Sequence, residues 1–301
     1  MNRAVKLRLA VLLALLLCGA GIAVWAMADP DGIVRAFLDL THFEIEKPPK
    51  YGVLHLLILA VTVLLTVFAG IMAVRITKER LDGIVFVIGV LFFVLELYKQ
   101  LYYHTVLGNG HYNFAVLPFQ LCSYALYLYL LVPLLPEGRV KSALYGFTAV
   151  YQTLGGGIVL AIPLFYKELS LTVHTVVWHI LMVVGGFLIL FCRGYGKRYV
   201  SELLPPLLIF LSVFTLGIVL NVVLDPYTES SAGVLNLFYL NPYGVTNNFL
   251  IGDVRNAFGW FPAVLTYIGL ITVPGANLVW LIARAVYCVG KRNGKGDDGS
   301  E

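Results

Sequence analysis

Long apolar stretches run through nearly the whole chain, separated by short breaks that carry charges, glycine or proline. Windows of about 19 residues resolve eight of them. They span roughly 7–27, 52–76, 83–103, 114–134, 141–163, 170–192, 199–224 and 259–289. A helix of about 20 apolar residues crosses the hydrocarbon core of a bilayer. The pattern therefore predicts an all-α, polytopic transmembrane helix bundle of about eight spans.

The composition agrees with this fold class and excludes others. The chain is 59% hydrophobic and 13% charged, whereas soluble domains carry about 25% charged residues. The net charge is only +4, and the basic residues stand singly or in short groups, so no nucleic-acid partner is predicted. The four cysteines lack the spacing of a disulfide framework or a zinc site, and no cofactor or metal is predicted. They are Cys18, Cys122, Cys192 and Cys288.

Lysine and arginine alternate between rich and poor connecting segments, which predicts the orientation in the membrane. The rich segments are 3–8, 75–80, 139–141, 193–198 and 291–295. Because Lys and Arg accumulate on the cytoplasmic side, both termini are expected inside an integral plasma membrane protein. Residues 1–290 then form a single transmembrane domain with a long outer loop at 225–258. The Gly- and charge-rich tail 291–301 is expected to be disordered.

The first apolar stretch has a second interpretation, a cleaved secretory signal peptide. A basic segment, Met1–Arg8, precedes the apolar core Leu9–Val24, and Ala26-Met27-Ala28 has the form of a cleavage site. Cleavage would leave seven spans. The apolar core is long for a signal peptide, which favours an uncleaved helix. The other spans keep their orientation in either case.

Polar side chains from five spans fall at similar depth in the predicted outer half of the bilayer. Cys122 lies about eight residues, or about 12 Å, from the outer end of the 114–134 span. A polar residue in a lipid-embedded helix is costly unless it faces a partner or a cavity. The shared depth predicts a site that opens outward; the alternative is interhelical hydrogen bonding that only holds the bundle together. The other members are Glu96, Gln152, His174, His179 and Asn221.

Ideal helical geometry limits how many of these side chains can meet. At 100° per residue, Gln120 and Cys122 point nearly opposite ways, and His174 and His179 are about 140° apart. One member of each pair is therefore expected to be structural, unless Pro118 distorts its helix locally.

Three further patterns concern how the bundle is held together. Glu96 and Lys99 are spaced i to i+3 and are expected to pair. The glycines at 155–157 predict close helix packing or a flexible break. The outer loop contains Leu237-Phe238-Tyr239-Leu240, and long aromatic loops of this kind often fold back as lids.

Four motifs, in order between about residues 50 and 285, resemble the YwaF-type bacterial integral membrane proteins. The first resembles that family's Leu-Pro-x-His-Leu-Cys motif, and the second its helix histidine preceded by an aromatic residue. The others resemble its Asn-Tyr-Met-Tyr-Leu…Pro segment and its Gly-Pro-Trp-Pro…Tyr run. In this chain the motifs are Leu117-Pro118-Phe119-Gln120-Leu121-Cys122, Val177-Trp178-His179, Asn236-Leu237-Phe238-Tyr239-Leu240-Asn241-Pro242 and Gly259-Trp260-Phe261-Pro262…Tyr267.

That family is similar to eukaryotic transmembrane protein 164, described as a lipid acyltransferase that uses a Cys and a His within the membrane. The resemblance implies that Cys122 accepts an acyl group as a thioester and that His179 is its base. Membrane phospholipids would be the partners and the bacterial inner membrane the location. The chain departs from the family pattern at Gln120, where the bacterial motif usually has His.

This chemistry is consistent with the residue types. A thiol must lose a proton before it attacks, and a neutral His at matching depth can take that proton. Gln120, Ser123 or Asn236 could donate to the developing oxyanion. The remaining candidates for substrate binding or support are Glu96, Gln152, His174, Asn221 and Tyr239.

The leading hypothesis is therefore a thiol-dependent phospholipid acyltransferase or acyl hydrolase. The alternative is a non-enzymatic transporter or a lipid- or solute-binding membrane protein with an outward-facing polar cavity, because intramembrane carboxylates and amides serve transporters equally well. A third possibility is a purely structural membrane subunit. The sequence leaves the acyl donor, the acceptor and the oligomeric state open.

Overall fold

The computed structural model describes residues 3–228, 235–244 and 250–294. In these residues the secondary structure is helical, apart from an isolated β-bridge between Glu44 and Glu168. The α-helices are α1 (Arg3–Ala28), α2 (Ile33–Asp39), α3 (Val53–Ala73), α4 (Lys78–Leu101), α5 (Tyr124–Leu131), α6 (Arg139–Phe147), α7 (Thr153–Ala161), α8 (Leu169–Cys192), α9 (Tyr199–Thr228), α10 (Ile251–Phe258), α11 (Trp260–Thr266) and α12 (Val273–Gly294).

Seven helical segments of the described chain are long and apolar enough to cross a membrane. Three of them join neighbouring α-helices or extend one through a π-helical turn (Tyr102–Leu107, Thr148–Gln152 or Tyr267–Thr272). The predicted all-α, multi-pass membrane bundle is thereby confirmed. The segments are Arg3–Ala28, Val53–Ala73, Lys78–Leu107, Arg139–Ala161, Leu169–Cys192, Tyr199–Thr228 and Trp260–Val289.

The remaining predicted span, 114–134, is shorter than the sequence pattern suggests. Its apolar helix covers only Leu121–Leu134, and residues 117–120 are not helical. Pro118 explains the difference, because proline disfavours the helical conformation of the residue before it. Leu117 accordingly has φ −52° and ψ 131°. Cys122 therefore lies in the first turn of a short helix, and not in the middle of a continuous span.

The centre of the bundle is α8, which packs against α3, α4 and α7, while α5 packs against α4. Gly156 of α7 allows a close approach to α8. A Cβ there would lie 3.1 Å from the His179 carbonyl oxygen and 3.0 Å from the Met182 Cβ. Of the glycines at 155–157, Gly156 thus provides close helix packing, as small residues do between membrane helices.

The two ends of the chain lie at the edge of the bundle. In α1 only Gly19 and Ala26 are buried, and Gly19 faces the ring of Phe93 in α4. At the other end α12 continues to Gly294, so the first four residues of the predicted tail are helical. Residues 295–301 of that tail lie outside the described residues.

The connection between α9 and α10 folds back into the bundle in the part described, residues 235–244. Leu235, Leu237 and Leu240 are completely buried, and Phe238 is 1% exposed. The loop is not a solvated connection; it adds an inserted segment to the core, which places Asn236 and Tyr239 beside the helices that carry Cys122 and His179.

Candidate functional site

The turn that carries Cys122 is held in place by two other helices. The Trp178 indole N–H donates to the Cys122 carbonyl oxygen at 3.2 Å. The Gln152 side-chain amide donates to the Leu121 carbonyl oxygen at 2.9 Å. The Cys122 side chain is half-buried. The backbone is thus fixed while the thiol remains accessible.

A polar cavity of about 280 Å³ opens beside this turn. It brings together most of the residues that the sequence singled out. Those on its wall are Glu96, Gln120, Cys122, Ser123, His174, His179, Asn236 and Tyr239. The structure thus brings these residues together around one cavity, and their role as a functional site stays a prediction.

His179 presents a free ring nitrogen in this cavity. Its Nδ1 lies 2.6 Å from the Thr175 carbonyl oxygen, and a carbonyl can only accept a hydrogen bond. Nδ1 therefore carries the proton, and Nε2 keeps its lone pair. Nε2 is buried and has no hydrogen-bond partner among the described residues. The ring is in the tautomer that a general base at Nε2 requires.

His174 lines the same cavity and stacks on Trp178, with ring centroids 5.4 Å apart. Its Nε2 is also buried without a hydrogen-bond partner in the described part of the chain. The expectation that only one of the two histidines could face the cavity is therefore wrong. The cavity wall also includes Thr175 and Trp178, so it follows an arc of about 140° around α8 instead of a narrow stripe.

Glu96 and Lys99 form the predicted ion pair, with the two charged atoms 2.8 Å apart. The Gln100 amide donates to the same Glu96 oxygen at 2.6 Å and also to the Val116 carbonyl at 2.8 Å. The Tyr112 hydroxyl donates to Gln100 Oε1 at 2.9 Å, and burial raises the pKa of Tyr112 to about 12. This network fixes the segment before Pro118. Oε2 of Glu96 is left buried without a hydrogen-bond partner in the described structure.

A second cavity, of about 230 Å³, lies on the other side of the same turn and is mostly apolar. It shares Gln120, Cys122 and Tyr239 with the polar cavity. Two π-helical turns, Thr148–Gln152 and Tyr267–Thr272, contribute to its wall, and such irregularities are frequent at functional sites. Its apolar lining includes Leu121, Tyr151, Leu154, Ile158, Phe210, Phe238, Tyr267 and Ile271.

Gln120 and Asn221 hold the inserted loop by its backbone. Gln120 donates to the Asn236 carbonyl at 2.9 Å and accepts from the Phe238 N–H at 2.8 Å. Asn221 makes the same pair of bonds with Leu237, at 3.0 and 2.8 Å. In each residue, the side-chain NH2 group and the side-chain oxygen are thus both hydrogen-bonded to the loop backbone.

These bonds support an unusual backbone in the loop. Phe238 and Tyr239 have φ of 56° and 59°, which costs a bulky residue about 1–3 kcal/mol. The surrounding contacts compensate for the strain and place Tyr239 on the wall of both cavities.

Two predicted site residues, Gln152 and Asn221, line neither cavity. They hold the residues that do line the cavities: Gln152 bonds to the backbone of the Cys122 turn, and Asn221 bonds to the backbone of the inserted loop. Gln120 lines both cavities, but its side-chain amide also serves the loop. The Gln120–Cys122 geometry differs from the expectation because the backbone at residue 120 is extended, with ψ 155°.

Sequence reasoning missed a second buried polar cluster at the opposite end of α4 and α8. Asp82 accepts from Lys141 Nζ and from the Tyr145 hydroxyl, each at 2.6 Å. Glu137 lies 3.0 Å from both Lys141 and Arg193. The signal was present in the sequence, since Asp82 and Lys141 are charged residues at the edges of apolar stretches.

Comparison with protein families, with characterised proteins and with solved structures gives no significant match for this chain.

Proposed function

We propose that this protein is a membrane-embedded, thiol-dependent phospholipid acyltransferase or acyl hydrolase, with Cys122 as nucleophile and His179 as base. One observation carries the proposal: Cys122 lies on the wall shared by a polar and an apolar cavity. A phospholipid has the same division, with its ester carbonyl at the boundary between head group and acyl chain. A lipid bound across both cavities would present that carbonyl to the thiol.

The residues around each cavity suit the two parts of such a substrate. Lys99 on the polar wall provides a positive charge for a lipid phosphate. The apolar lining, with Leu154, Ile158 and Phe210 among its members, can accept part of an acyl chain. Binding would remove apolar surface from contact with water or disordered lipid, and the glycerol ester would lie near Cys122.

In the first step, Nε2 of His179 takes the thiol proton and the Cys122 sulfur attacks the ester carbonyl carbon. The tetrahedral intermediate then expels the lysolipid oxygen, which receives the proton from His179. The C–O bond of the ester breaks and a C–S bond forms. The products are a Cys122 thioester and a lysolipid hydroxyl, with no net change in protons.

The position of Cys122 in the first turn of the helix Leu121–Leu134 supports this step. The first N–H groups of a helix have no intrahelical partner and point toward its start, where they can donate to an oxyanion. Ser123, on the wall of the same cavity as Cys122, provides a hydroxyl as a further donor.

In the second step, an acceptor hydroxyl attacks the thioester carbonyl while His179 removes the acceptor proton. The Cys122 sulfur leaves and takes that proton back. A lysolipid acceptor makes the protein an acyltransferase, and water makes it an acyl hydrolase. The resemblance to the YwaF-type proteins and to transmembrane protein 164 supports the same roles for Cys122 and His179. The distribution of Lys and Arg supports a site in the outer half of the plasma membrane, with both termini inside.

Intact-mass spectrometry of the purified protein after incubation with a defined phospholipid tests the proposal. We expect a mass gain of one acyl chain that maps to Cys122, is released by hydroxylamine, and is absent from Cys122→Ala. Cys192→Ala is the matched control, because Cys192 is also half-buried but lines neither cavity. Unmodified wild-type protein that still turns over phospholipid would contradict the thioester mechanism.

Lipid or solute binding without chemistry is the second candidate, and the Glu96–Lys99 pair favours it. An ion pair on a cavity wall, with Oε2 of Glu96 lacking a partner in the described residues, is typical of a transport or binding site. This candidate predicts that Cys122→Ala binds lipid as wild type does, whereas Glu96→Gln, Gln152→Ala or Asn221→Ala lose binding. Co-purified lipid measured by mass spectrometry separates the two candidates.

A further inference from the structure

A third cavity, of about 690 Å³, lies at the C-terminal end of α8, whereas the polar cavity beside Cys122 lies near its N-terminal end. Arg193, which follows the last residue of α8, forms part of its wall, and Lys78 and Arg139 provide two more positive charges. About 14 residues of helix, or about 21 Å, separate Arg193 from His179. The cavity is therefore separate from the site of the proposed acyl chemistry.

The Arg193 side chain is only 7% exposed, and its hydrogen bonds are incomplete. Nη2 donates to Glu137 at 3.0 Å and to the Ser142 hydroxyl at 3.2 Å. The guanidinium carbon lies 4.8 Å from the centre of the Tyr145 ring. Nη1 is buried and has no hydrogen-bond partner among the described residues. A buried donor without a partner is costly, and a ligand in the cavity would remove that cost.

Three helices begin around the same cavity. Lys78 is the first residue of α4, Arg139 is the first residue of α6, and Ser201 lies in the first turn of α9. The start of a helix carries the positive end of the helix dipole, and its first N–H groups lack partners within the helix. Such positions favour a phosphate or another anion.

The acidic residue in the cavity wall, Glu202, directs its carboxylate oxygens to donors of the protein itself. Glu202 accepts from the backbone N–H groups of Gly196, Lys197 and Arg198 at 2.7, 3.2 and 3.1 Å. It also accepts from the Trp280 indole at 2.9 Å. Its oxygens thus cap the turn before α9.

We propose that this cavity binds the phosphate group of an anionic ligand. Arg193 and Arg139 provide guanidinium donors, Lys78 provides an ammonium, and the hydroxyls of Ser142 and Ser201 complete the polar wall. Arginine is suited to phosphate because its planar fork matches two phosphate oxygens. The phosphate could belong to a lipid head group or to a soluble molecule. This proposal is independent of the acyl chemistry at Cys122.

The test is a titration of the full-length protein in detergent with two probes, inorganic phosphate and short-chain phosphatidylglycerol, followed by native mass spectrometry. The variants are Lys78→Gln, Arg139→Gln and Arg193→Gln. Arg80→Gln is the matched control, because Arg80 is an exposed basic residue two positions after Lys78 that is not part of the cavity wall.

We expect each cavity variant to weaken binding of at least one probe by about tenfold or more, which is the loss expected for one charge-assisted hydrogen bond. Arg80→Gln should bind as wild type does. Binding of phosphatidylglycerol alone would assign the site to a lipid head group. Binding of inorganic phosphate with similar affinity would assign it to a soluble phosphate.

Two results would overturn the proposal: neither probe binds wild-type protein, or all three cavity variants bind like Arg80→Gln. If Arg193→Gln fails to fold, Lys78→Gln and Arg139→Gln still decide the question, because both side chains are exposed and their loss leaves the packing intact.

Discussion

The two ends of the bundle bury similar polar side chains but satisfy them differently. At the end that contains Asp82, both carboxylate oxygens are bonded, one to Lys141 and one to Tyr145. At the end that contains Cys122, Nε2 of His179 and Oε2 of Glu96 lack hydrogen-bond partners among the described residues. Buried polar groups in native proteins are normally paired. The fully bonded Asp82 carboxylate, with Lys141 and Tyr145, therefore stabilises the fold, whereas the unpaired groups around Cys122 are suited to a ligand.

This comparison predicts that variants at the Cys122 end lose activity and keep stability. We expect His179→Gln to lower the rate of Cys122 acylation about 10²- to 10⁴-fold, the usual contribution of a general base. Its thermal unfolding midpoint should stay close to that of wild type, because Nε2 makes no hydrogen bond to the described residues. Single-turnover acylation followed by mass spectrometry measures the rate.

His174→Gln is the control, since it changes the same ring type on the same wall. An equal loss of acylation rate in both variants would contradict the assignment of His179 as the general base.

At the other end, Asp82→Ala should destabilise the protein by about 3–5 kcal/mol. It leaves Lys141, which is 3% exposed, with only the half-exposed Glu137 as counter-charge, and it removes the acceptor of the Tyr145 hydroxyl. Thermal unfolding in detergent measures the effect. A double variant, Asp82→Leu with Lys141→Met, should recover most of the stability, since removal of both charges of a buried pair is often neutral. If Asp82→Ala were as stable as wild type, the cluster would not have the structural role assigned to it.

Between the two ends, where α7 lies close to α8, a larger side chain should lower the stability of the protein. Gly156→Val places atoms where a Cβ already lies 3.0 to 3.1 Å from its neighbours, so we expect a loss of about 1–3 kcal/mol in stability and a slower acylation. Gly157→Val is the matched control because a Cβ there meets nothing within 4 Å. Equal unfolding midpoints for the two variants would contradict this packing.

The smallest expected effect concerns pH. Burial raises the pKa of Glu137, but hydrogen bonds from Arg193 and Lys141 outweigh it and hold the pKa at about 2, below the ordinary value of 4.5. The carboxylate therefore contributes stability above pH 4.5, and this contribution is lost as the pH falls toward 2. The Glu137 side chain is 50% exposed, so solvent screens the effect.

Unfolding midpoints of wild type and Glu137→Gln should accordingly differ at neutral pH and converge in acid. A difference that stays constant down to about pH 2 would show that the carboxylate charge is not responsible.

The sequence predicted the features that depend only on residues close together in the chain. Apolar length alone located the seven long helices, and the i to i+3 spacing was enough to predict the Glu96–Lys99 pair. The assumption of ideal helices failed near Cys122, because Pro118 delays the helix start to Leu121 and because the cavity follows a wide arc of α8. The predicted position along each helix was a better guide to the residues of this cavity than the angular position around the helix.

What the sequence determined by itself was the membrane bundle and the set of polar residues that share one depth, since hydropathy and residue spacing are properties of single segments. The tertiary structure alone decided three things: the contacts that hold residues 235–244 in the core, the apolar cavity beside Cys122, and the basic cavity at the opposite end. Each depends on contacts between residues far apart in the chain, such as Gln120 with Asn236 and Arg193 with Ser142. Such contacts are set by packing and by the pairing of buried polar groups, which no local pattern records.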